Sequence, residues 1–248
     1  MRHGIRFPAL IAALLAAFAA PVPAGGTLRF AIYNPGNGAM FPVSSVLVEG
    51  RTEAILIDAQ FAASDARKLV DKIKASGRTL TTIYISHGDP DYYFGLNVVK
   101  TAFPDAKVFA TARTVAHIKE TQQAKLAYWG PLLKSDAPTK IIIPDVLPGR
   151  SMMLDHQPLQ IMGLAGKTPD RTYVWMPSIK TIAGGVLVFG NLHVWTADTQ
   201  SDASKQQWIR DLDRMAALKP FTVIPGHFKA GKPLGASSIT FTRDYLKT

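Results

Sequence analysis

The heptapeptide Ser86-His87-Gly88-Asp89-Pro90-Asp91-Tyr92 follows the apolar run Thr82-Ile83-Tyr84-Ile85, which is typical of a buried strand. It places one imidazole and two carboxylates at alternate positions, on His87, Asp89 and Asp91. Alternate side chains of an extended segment point to the same side, so the three groups can converge. Two carboxylates at a strand end repel each other, and a divalent cation neutralises both and accepts an imidazole nitrogen. The segment therefore indicates a metal site, with a solvated Asp-Pro-Asp turn as the alternative.

Two more predicted strand ends carry similar side chains. Ile55-Leu56-Ile57 is followed by Asp58, and Val223-Ile224-Pro225 is followed by Gly226 and His227. Functional side chains often lie on loops that a rigid scaffold positions. The pattern favours one site assembled from strand ends that are far apart in the chain.

In their order and spacing, these segments resemble the metallo-β-lactamase superfamily, over about residues 27–247. The resemblance implies a four-layer αββα sandwich with the site in the groove between the edges of the two sheets. Asp58 matches a strand-end aspartate that supports the metal loop in that family. The resemblance also implies that His87, Asp91 and His227 are metal ligands.

The chain departs from the family pattern at several ligand positions. Asp89 stands where the family has its second histidine, and Tyr92 where a histidine follows the aspartate. Further along, Lys167 stands in the place of the third histidine and Asn191 in that of the bridging aspartate. Four of the seven usual positions are thus altered, which argues against a standard two-zinc site.

One interpretation keeps a single divalent metal ion. Its ligands would be His87, Asp89, Asp91 and His227. Two nitrogen and two carboxylate ligands suit Zn²⁺ and tolerate Mn²⁺ or Fe²⁺. Water on an open coordination position would be made nucleophilic, and Asp91 or Asp89 would be the catalytic residue that orients it as a base.

The other interpretation has no metal. Lys167 would reach into the pocket and pair with the carboxylates, leaving a catalytically silent binding site. His193 is an additional candidate ligand, because it closely follows Asn191 and the strand before it, although a lone histidine there also suits a core position. Tyr92 could line the pocket.

Two rival motifs are incomplete. The segment Gly163-Leu164-Ala165-Gly166-Lys167-Thr168 lacks the first glycine of a phosphate-binding loop, and Pro169 follows where a helix should begin. The Gly-x-Ser-x-Gly pattern of serine hydrolases is absent from the sequence.

Composition and the N-terminus predict an exported single-domain protein. The chain has 248 residues, of which 47% are hydrophobic and none is cysteine. Arg2 and Arg6 precede the apolar stretch 9–20, which is typical of a secretory signal peptide cleaved after Ala24. One domain over residues 25–248 and a periplasmic or secreted location follow. Nothing else approaches transmembrane length, so no stable membrane association is expected after cleavage.

Net charge gives a weaker indication about partners. The formal net charge is +10, and about +8 without the predicted signal peptide. The basic residues are scattered and form no dense run, so nucleic-acid binding is not expected. The expected partner is a small-molecule substrate, and the sequence leaves the oligomeric state open.

Periodicity predicts strands that alternate with helices. Helices are expected over 64–76, with Ser64 as the N-cap, and over 93–103, 114–129, 201–218 and 238–247. Strands are expected over 46–48, 54–58, 82–85, 107–110, 141–143, 159–162, 172–175, 186–189 and 223–225.

The functional prediction combines these observations. The first hypothesis is a periplasmic or secreted metal-dependent hydrolase of a small ester, lactone, amide or thioester, with a metal-bound hydroxide as the nucleophile. The alternative is a ligand-binding protein of the same fold, in which Lys167 and the carboxylates replace the metal.

Overall fold

The structure is a computed structural model that describes Met1 and residues 27–164, 171–232 and 234–248. The predicted signal peptide, apart from Met1, lies outside these residues, and so does Lys167. Among the described residues, no helix is both long and apolar enough to cross a membrane.

Thirteen strands are found in the described residues. They are β1 (Arg29–Tyr33), β2 (Ser45–Glu49), β3 (Glu53–Ile57), β4 (Thr79–Ile85), β5 (Lys107–Ala110), β6 (Asp145–Val146), β7 (Ser151–Leu154), β8 (Gln157–Met162), β9 (Tyr173–Met176), β10 (Thr181–Ala183), β11 (Phe189–Gly190), β12 (Thr222–Val223) and β13 (His227–Phe228).

Six α-helices accompany the strands in the same part of the chain. They are α1 (Ala63–Ala75), α2 (Pro90–Tyr93), α3 (Leu96–Ala102), α4 (Ala112–Leu133), α5 (Asp202–Ala217) and α6 (Ser237–Tyr245). Two short 3₁₀ turns occupy Lys134–Asp136 and Pro177–Ile179.

The strands form two large sheets and one small one. The first has the order β1-β2-β3-β4-β5-β6, antiparallel from β1 to β3 and parallel from β3 to β6. The second has the order β12-β10-β9-β8-β7, and β11 pairs with β13 in parallel. Parallel pairing of β3 with β4 brings their carboxyl ends to one edge of the first sheet.

Alternating side chains of β3 show how the layers are held together. Ile55 and Ile57 belong to a core shared with Leu159 of the second sheet. Leu56, on the opposite face, belongs to the core that contains Leu69 of α1. Burial of both strand faces requires cover on each side of the sheet pair, so the predicted αββα arrangement is confirmed.

Several predicted element boundaries differ from the structure. Helix α1 begins after Ala62, and Ser64 is not its N-cap, because the amide and hydroxyl of Ser64 both donate to Asp136. The predicted strand 141–143 is absent from the described ladders. Its side chains are half buried, and Pro144, which lacks an N–H, precedes the two residues that pair with β5.

Two more corrections have a backbone cause. Only Phe189 of the predicted strand 186–189 enters a ladder, since Gly184 and Gly185 have positive φ and turn the chain just before it. The predicted helix 93–103 is divided into α2 and α3 by a break at Phe94 and Gly95.

Candidate functional site

Asp58 holds the start of the predicted metal-binding loop, residues 86–92, through hydrogen bonds to Ser86. It is fully buried directly after β3, with a φ of 63°, and accepts hydrogen bonds from the Ser86 amide (2.8 Å) and hydroxyl (2.6 Å). The Ser86 hydroxyl in turn accepts from the Gly185 amide at 2.7 Å. Burial raises the pKa of Asp58 to about 7, against the lowering effect of the Ser86 hydrogen bonds. Asp58 therefore has the supporting position that the resemblance implied.

The first half of the loop forms an ion-paired group that we call the ammonium cluster: His87, Asp89, His117 and Lys125. His87 Nε2 lies 3.1 Å from one oxygen of Asp89. The Lys125 ammonium donates to the other oxygen of Asp89 at 2.7 Å, and it also lies 3.0 Å from the Gly88 carbonyl oxygen and 3.1 Å from His117 Nε2. An ammonium has three N–H donors. These three acceptors use all of them.

Electrostatics in the ammonium cluster favour the ionised form of Asp89. Burial alone would raise the pKa of Asp89, but the His87 hydrogen bond and charge, with the Lys125 ammonium, hold that pKa well below its usual range. Burial likewise lowers the pKa of His87, but the Asp89 carboxylate outweighs this effect, and the net shift is upward. Opposite charges therefore compensate each other inside the cluster.

The second half of the loop forms a different group, the Asp91–His227 pair. His227 Nε2 lies 2.7 Å from one carboxylate oxygen of Asp91, although 136 positions separate them in the chain. The Tyr92 hydroxyl lies 3.3 Å from His227 Nδ1, and Phe189 stacks on the imidazole with ring centroids 5.2 Å apart. Because both ring nitrogens have partners and one ring face is covered, the orientation of His227 is fixed.

Glycine at position 226 is needed to bring His227 to this place. A Cβ on Gly226 would lie 2.0 Å from the Gly185 carbonyl oxygen and 2.8 Å from the Tyr92 hydroxyl. The first of these neighbours is backbone and cannot rotate away. The Gly226 carbonyl also accepts from the Ser44 amide at 2.7 Å. Close backbone approach thus positions the Asp91–His227 pair.

A cavity of about 480 Å³ lies over these groups. Its walls include Phe41, Trp129 and Phe189. Its polar lining includes the Asp91–His227 pair, together with Asp89 and Lys125 of the ammonium cluster. The second oxygen of Asp91 accepts no hydrogen bond from the described residues and is therefore open to the cavity. The cavity thus combines apolar walls with a hydrogen-bond acceptor, in a volume that suits a small molecule.

Comparison with known proteins places this architecture in a family. The family model described as the metallo-beta-lactamase superfamily matches residues 38–227. The chain belongs to the metallo-β-lactamase superfamily.

Similar proteins include one that is named as a metallo-beta-lactamase and one that is uncharacterized. A protein named metallo-beta-lactamase type 2, from Bacillus sp. (strain 170), is 24% identical over 200 residues, which are 79% of this chain and 70% of the relative. The uncharacterized protein YobT of Bacillus subtilis (strain 168) is 33% identical over 75 residues, 30% of this chain and 32% of that protein.

Solved metallo-β-lactamases share the fold. The DIM-1 metallo-beta-lactamase superposes with a TM-score of 0.64 at 19% identity, covering 90% of this chain and 99% of that one. The metallo-beta-lactamase from Pontibacter korlensis gives a TM-score of 0.65 at 20% identity, covering 89% and 94%. These likenesses establish a hydrolase-like fold and leave the activity to the site.

The superfamily generally binds divalent metals, usually zinc, but the described side chains here do not fit such a centre. The four predicted ligands are found as two hydrogen-bonded pairs, His87 with Asp89 and Asp91 with His227. Within the described ranges, no three His, Asp or Glu side chains are arranged to hold one ion. Lys125 contributes to this misfit, because its ammonium already pairs with the Asp89 carboxylate, which would otherwise be available to a cation.

The other candidate site residues, Asn191, His193 and Tyr92, lie at different positions relative to the cavity. Asn191 is exposed at a positive φ of 56° and is not among the residues that line the cavity. His193 does line the cavity, and its ring lies against the Tyr245 hydroxyl. Tyr92 is fully buried behind His227, and burial raises its pKa well above the usual value. The structure therefore places His193 and Tyr92 near the site and Asn191 outside it.

Three basic residues at or near the site, His117, Lys125 and Arg171, were not identified as site residues from the sequence. His117 and Lys125 both lie on α4, eight residues apart, which is slightly more than two helical turns and puts them on one face. Arg171 is buried, with its guanidinium 5.1 Å from the Trp208 ring and 3.4 Å from Asp198. The spacing on α4 was a usable signal for the first two residues. None was available for Arg171.

Proposed function

We propose that this protein binds a small molecule with a largely apolar body and a hydroxyl or amine donor, without a metal ion. The observation that carries the proposal is the open oxygen of Asp91, held in place by His227 at the polar end of the 480 Å³ cavity. A carboxylate oxygen on the cavity lining can accept a hydrogen bond from a ligand donor, and hydrogen bonds to a charged acceptor are stronger than those between neutral groups.

The apolar part of the ligand would lie against aromatic walls. Trp129 packs edge-on against Phe41 and Phe61, with ring centroids 5.2 and 5.5 Å apart. Trp195 lines the cavity while 61% exposed. Such rings offer large contact areas at a small conformational cost. They favour a planar or cyclic apolar body over a long polar one.

Catalysis would need a positively charged or electrophilic group to stabilise a transition state, and the described lining residues do not offer a free one. The Lys125 donors are all engaged within the ammonium cluster. Asp91 is the remaining candidate base, and the described lining residues offer it no free cation to stabilise a developing oxyanion. Binding is therefore better supported than turnover.

A fluorescent probe tests the binding proposal. N-Phenyl-1-naphthylamine has an apolar body and one N–H, and its fluorescence rises on entering an apolar cavity. We expect saturable binding to one site, unchanged by EDTA, and weakened about tenfold in Trp129→Ala, since the lost ring contact is worth about 1.4 kcal/mol. Phe221→Ala is the matched control, because Phe221 is an aromatic residue that is 74% exposed and is not a lining residue. Equal losses in both variants, or no saturable binding, would refute the proposal.

Metal-dependent hydrolysis is the competing function. Family membership and the Asp91–His227 pair, a carboxylate beside an imidazole, favour it. A screen of chromogenic esters, lactones, thioesters and nitrocefin with Zn²⁺, Mn²⁺ or Fe²⁺ separates the two functions. The binding proposal expects no turnover above that of Asp91→Asn. Metal-dependent turnover that disappears in both Asp91→Asn and His227→Ala would establish the hydrolase instead.

Export remains part of the proposal. Arg2, Arg6 and the apolar stretch after them support cleavage after Ala24 and a periplasmic or secreted protein. N-terminal sequencing of the protein expressed with its leader in a Gram-negative host should begin at Gly25. A sequence that begins at Met1 would contradict export.

A further inference from the structure

We propose that the ligand of the cavity is a small organic cation, an apolar body that carries a protonated amine, and that the open oxygen of Asp91 binds its ammonium group. The inference rests on the proposed function, which leaves the donor as a hydroxyl or an amine, and it selects the charged amine. It depends on the charges that line the cavity, on the surroundings of Asp91 and on the aromatic walls.

The charges that line the cavity oppose the charge of the whole chain. The chain carries a formal net charge of +10, with histidine counted as neutral. Three carboxylates line the cavity, on Asp89, Asp91 and Asp198, beside a single ammonium, on Lys125. A cleft lined mainly by charges of one sign attracts ligands of the other sign. The lining therefore favours a cationic ligand, whereas the net charge of the chain alone would favour an anionic one.

Asp91 is the lining carboxylate that is left for a ligand. Lys125 pairs with Asp89 at 2.7 Å, so these two charges compensate each other. Asp198 is half exposed and lies 3.4 Å from the Arg171 guanidinium. The Asp91 side chain is only 9% exposed and has no lysine or arginine partner among the described residues. Because a buried charge is costly unless an opposite charge compensates it, a cation is the favoured partner for Asp91.

The same lining offers no comparable contact to an anionic ligand. Lys125 is the only lysine or arginine among the described lining residues, and its three N–H donors are already used within the ammonium cluster. The Arg171 guanidinium lies over the Trp208 ring, and Arg171 does not line the cavity. A ligand carboxylate would therefore meet the charge of Asp91 without a compensating cation and be repelled.

Aromatic rings supply a second kind of contact that favours a cation. Phe41 and Trp129 stand nearly at right angles, with an interplanar angle of 79° and ring centroids 5.2 Å apart. Phe189 and Trp195 line the same cavity. The faces of aromatic rings attract cations, and aromatic cages bind the ammonium groups of ligands. The walls can therefore stabilise both the charged and the apolar part of such a ligand.

Three naphthalene compounds that differ in one group test the inference. 2-Naphthylmethylamine is protonated at neutral pH, 2-naphthylmethanol is its neutral isostere, and 2-naphthoate is an anion of similar size. Isothermal titration calorimetry at neutral pH measures their affinities for the wild-type protein. We expect the amine to bind about tenfold more tightly than the alcohol, since an ion pair replaces a hydrogen bond from a neutral donor, and the naphthoate to bind more weakly than either.

Asp91→Asn tests whether this carboxylate causes the preference. In this variant the preference for the amine over the alcohol should fall to about twofold or less. Asp105→Asn removes the same charge elsewhere and should retain the full preference. Asp105 is exposed, does not line the cavity and precedes β5, at the edge of the first sheet opposite the carboxyl ends of β3 and β4. A preference that survives in Asp91→Asn would overturn the assignment.

The results for the wild type separate this inference from the proposed function. If the amine and the alcohol bind equally well, within about twofold, or if the naphthoate binds most tightly, the inference is overturned while the proposed binding site stands. If none of the three compounds binds and N-phenyl-1-naphthylamine does not bind either, the proposed function fails and this inference fails with it. These comparisons need no variant, so they remain decisive even if Asp91→Asn does not fold.

Discussion

The ammonium cluster and the Asp91–His227 pair lie two residues apart on one loop, and each contains a carboxylate bonded to an imidazole. In the cluster, the second oxygen of Asp89 is bonded to Lys125. In the pair, the second oxygen of Asp91 is open to the cavity. The carboxylate of Asp89 is thus neutralised by a lysine of the protein itself, whereas the carboxylate of Asp91 is available to a ligand. We expect the first to serve stability and the second to serve binding.

Loss of the Lys125 ammonium should have the largest effect on stability. Lys125→Met leaves a mostly buried Asp89 carboxylate without its cation, and we expect a loss of about 3 kcal/mol in the free energy of unfolding. Urea denaturation at neutral pH measures it. Lys119→Met, on an exposed face of α4, should change the same free energy by less than about 0.5 kcal/mol. Equal stability of the two variants would mean that the cluster contributes nothing to the fold.

Gly226→Ala should disturb the Asp91–His227 pair through the backbone. The new Cβ must move the Gly185 carbonyl, 2.0 Å away, and we expect a destabilisation of about 2 kcal/mol together with weaker probe binding. Gly235→Ala is the control, since its Cβ would have no neighbour within 4 Å. Thermal melting and probe titration of both variants measure the difference. Unchanged probe binding in Gly226→Ala would separate His227 from the ligand site.

The sequence predicted the Asp91–His227 pair better than it predicted the cluster. Asp58, His87 and His227 follow or begin strands, and strand ends can be located from apolar runs. The parallel pairing of β3 with β4 then brings two of those ends together. The groups around Lys125 depend on which face of α4 meets the loop, and this is decided by packing over the whole first sheet.

The idea of a lysine in place of the metal also came from the sequence, but for another residue. Lys167 lies outside the described residues, so its role stays a prediction. The structure gives the corresponding contact to Lys125. The prediction of a strand over 141–143 was wrong for a related reason. The apolar composition of this segment correctly predicted partial burial, but a strand also needs a hydrogen-bonded neighbour. In the structure, Phe109 and Ala110 of β5 pair with Asp145 and Val146 instead.

Asparagine substitutions at Asp91 and Asp89 test the same difference between the pair and the cluster, and should destabilise the protein less than the changes above. Asp91→Asn removes the charge that the ligand donor would contact, and we expect probe affinity to fall about tenfold, or about 1.4 kcal/mol. Asp89 also lines the cavity, but its two oxygens are already bonded to His87 and Lys125. Asp89→Asn should therefore leave probe affinity within about twofold while lowering the free energy of unfolding. Fluorescence titration and urea denaturation of both variants supply the four values. The reverse assignment of effects would contradict the account.

The smallest expected effect is the loss of folding stability that follows from protonation of Asp89 at low pH. Its pKa is lowered in the folded protein, so the stability it contributes is fully present above its ordinary pKa near 4 and is lost as the pH falls below that value. Between pH 5 and 3 the wild type should lose about 1 kcal/mol more than Asp89→Asn, since most of the loss lies at lower pH. Urea denaturation at several pH values measures this difference. Parallel curves for the two proteins would show that the Asp89 carboxylate is not stabilised in the cluster.

The most direct test of the account is the zinc content of the wild-type protein. The protein is purified without chelators, dialysed against Zn²⁺, freed of loose metal by gel filtration and analysed by mass spectrometry of the metal. The account predicts far less than one equivalent, because Lys125 holds the cation position. One or two equivalents of zinc that disappear in both Asp89→Asn and Asp91→Asn would contradict it.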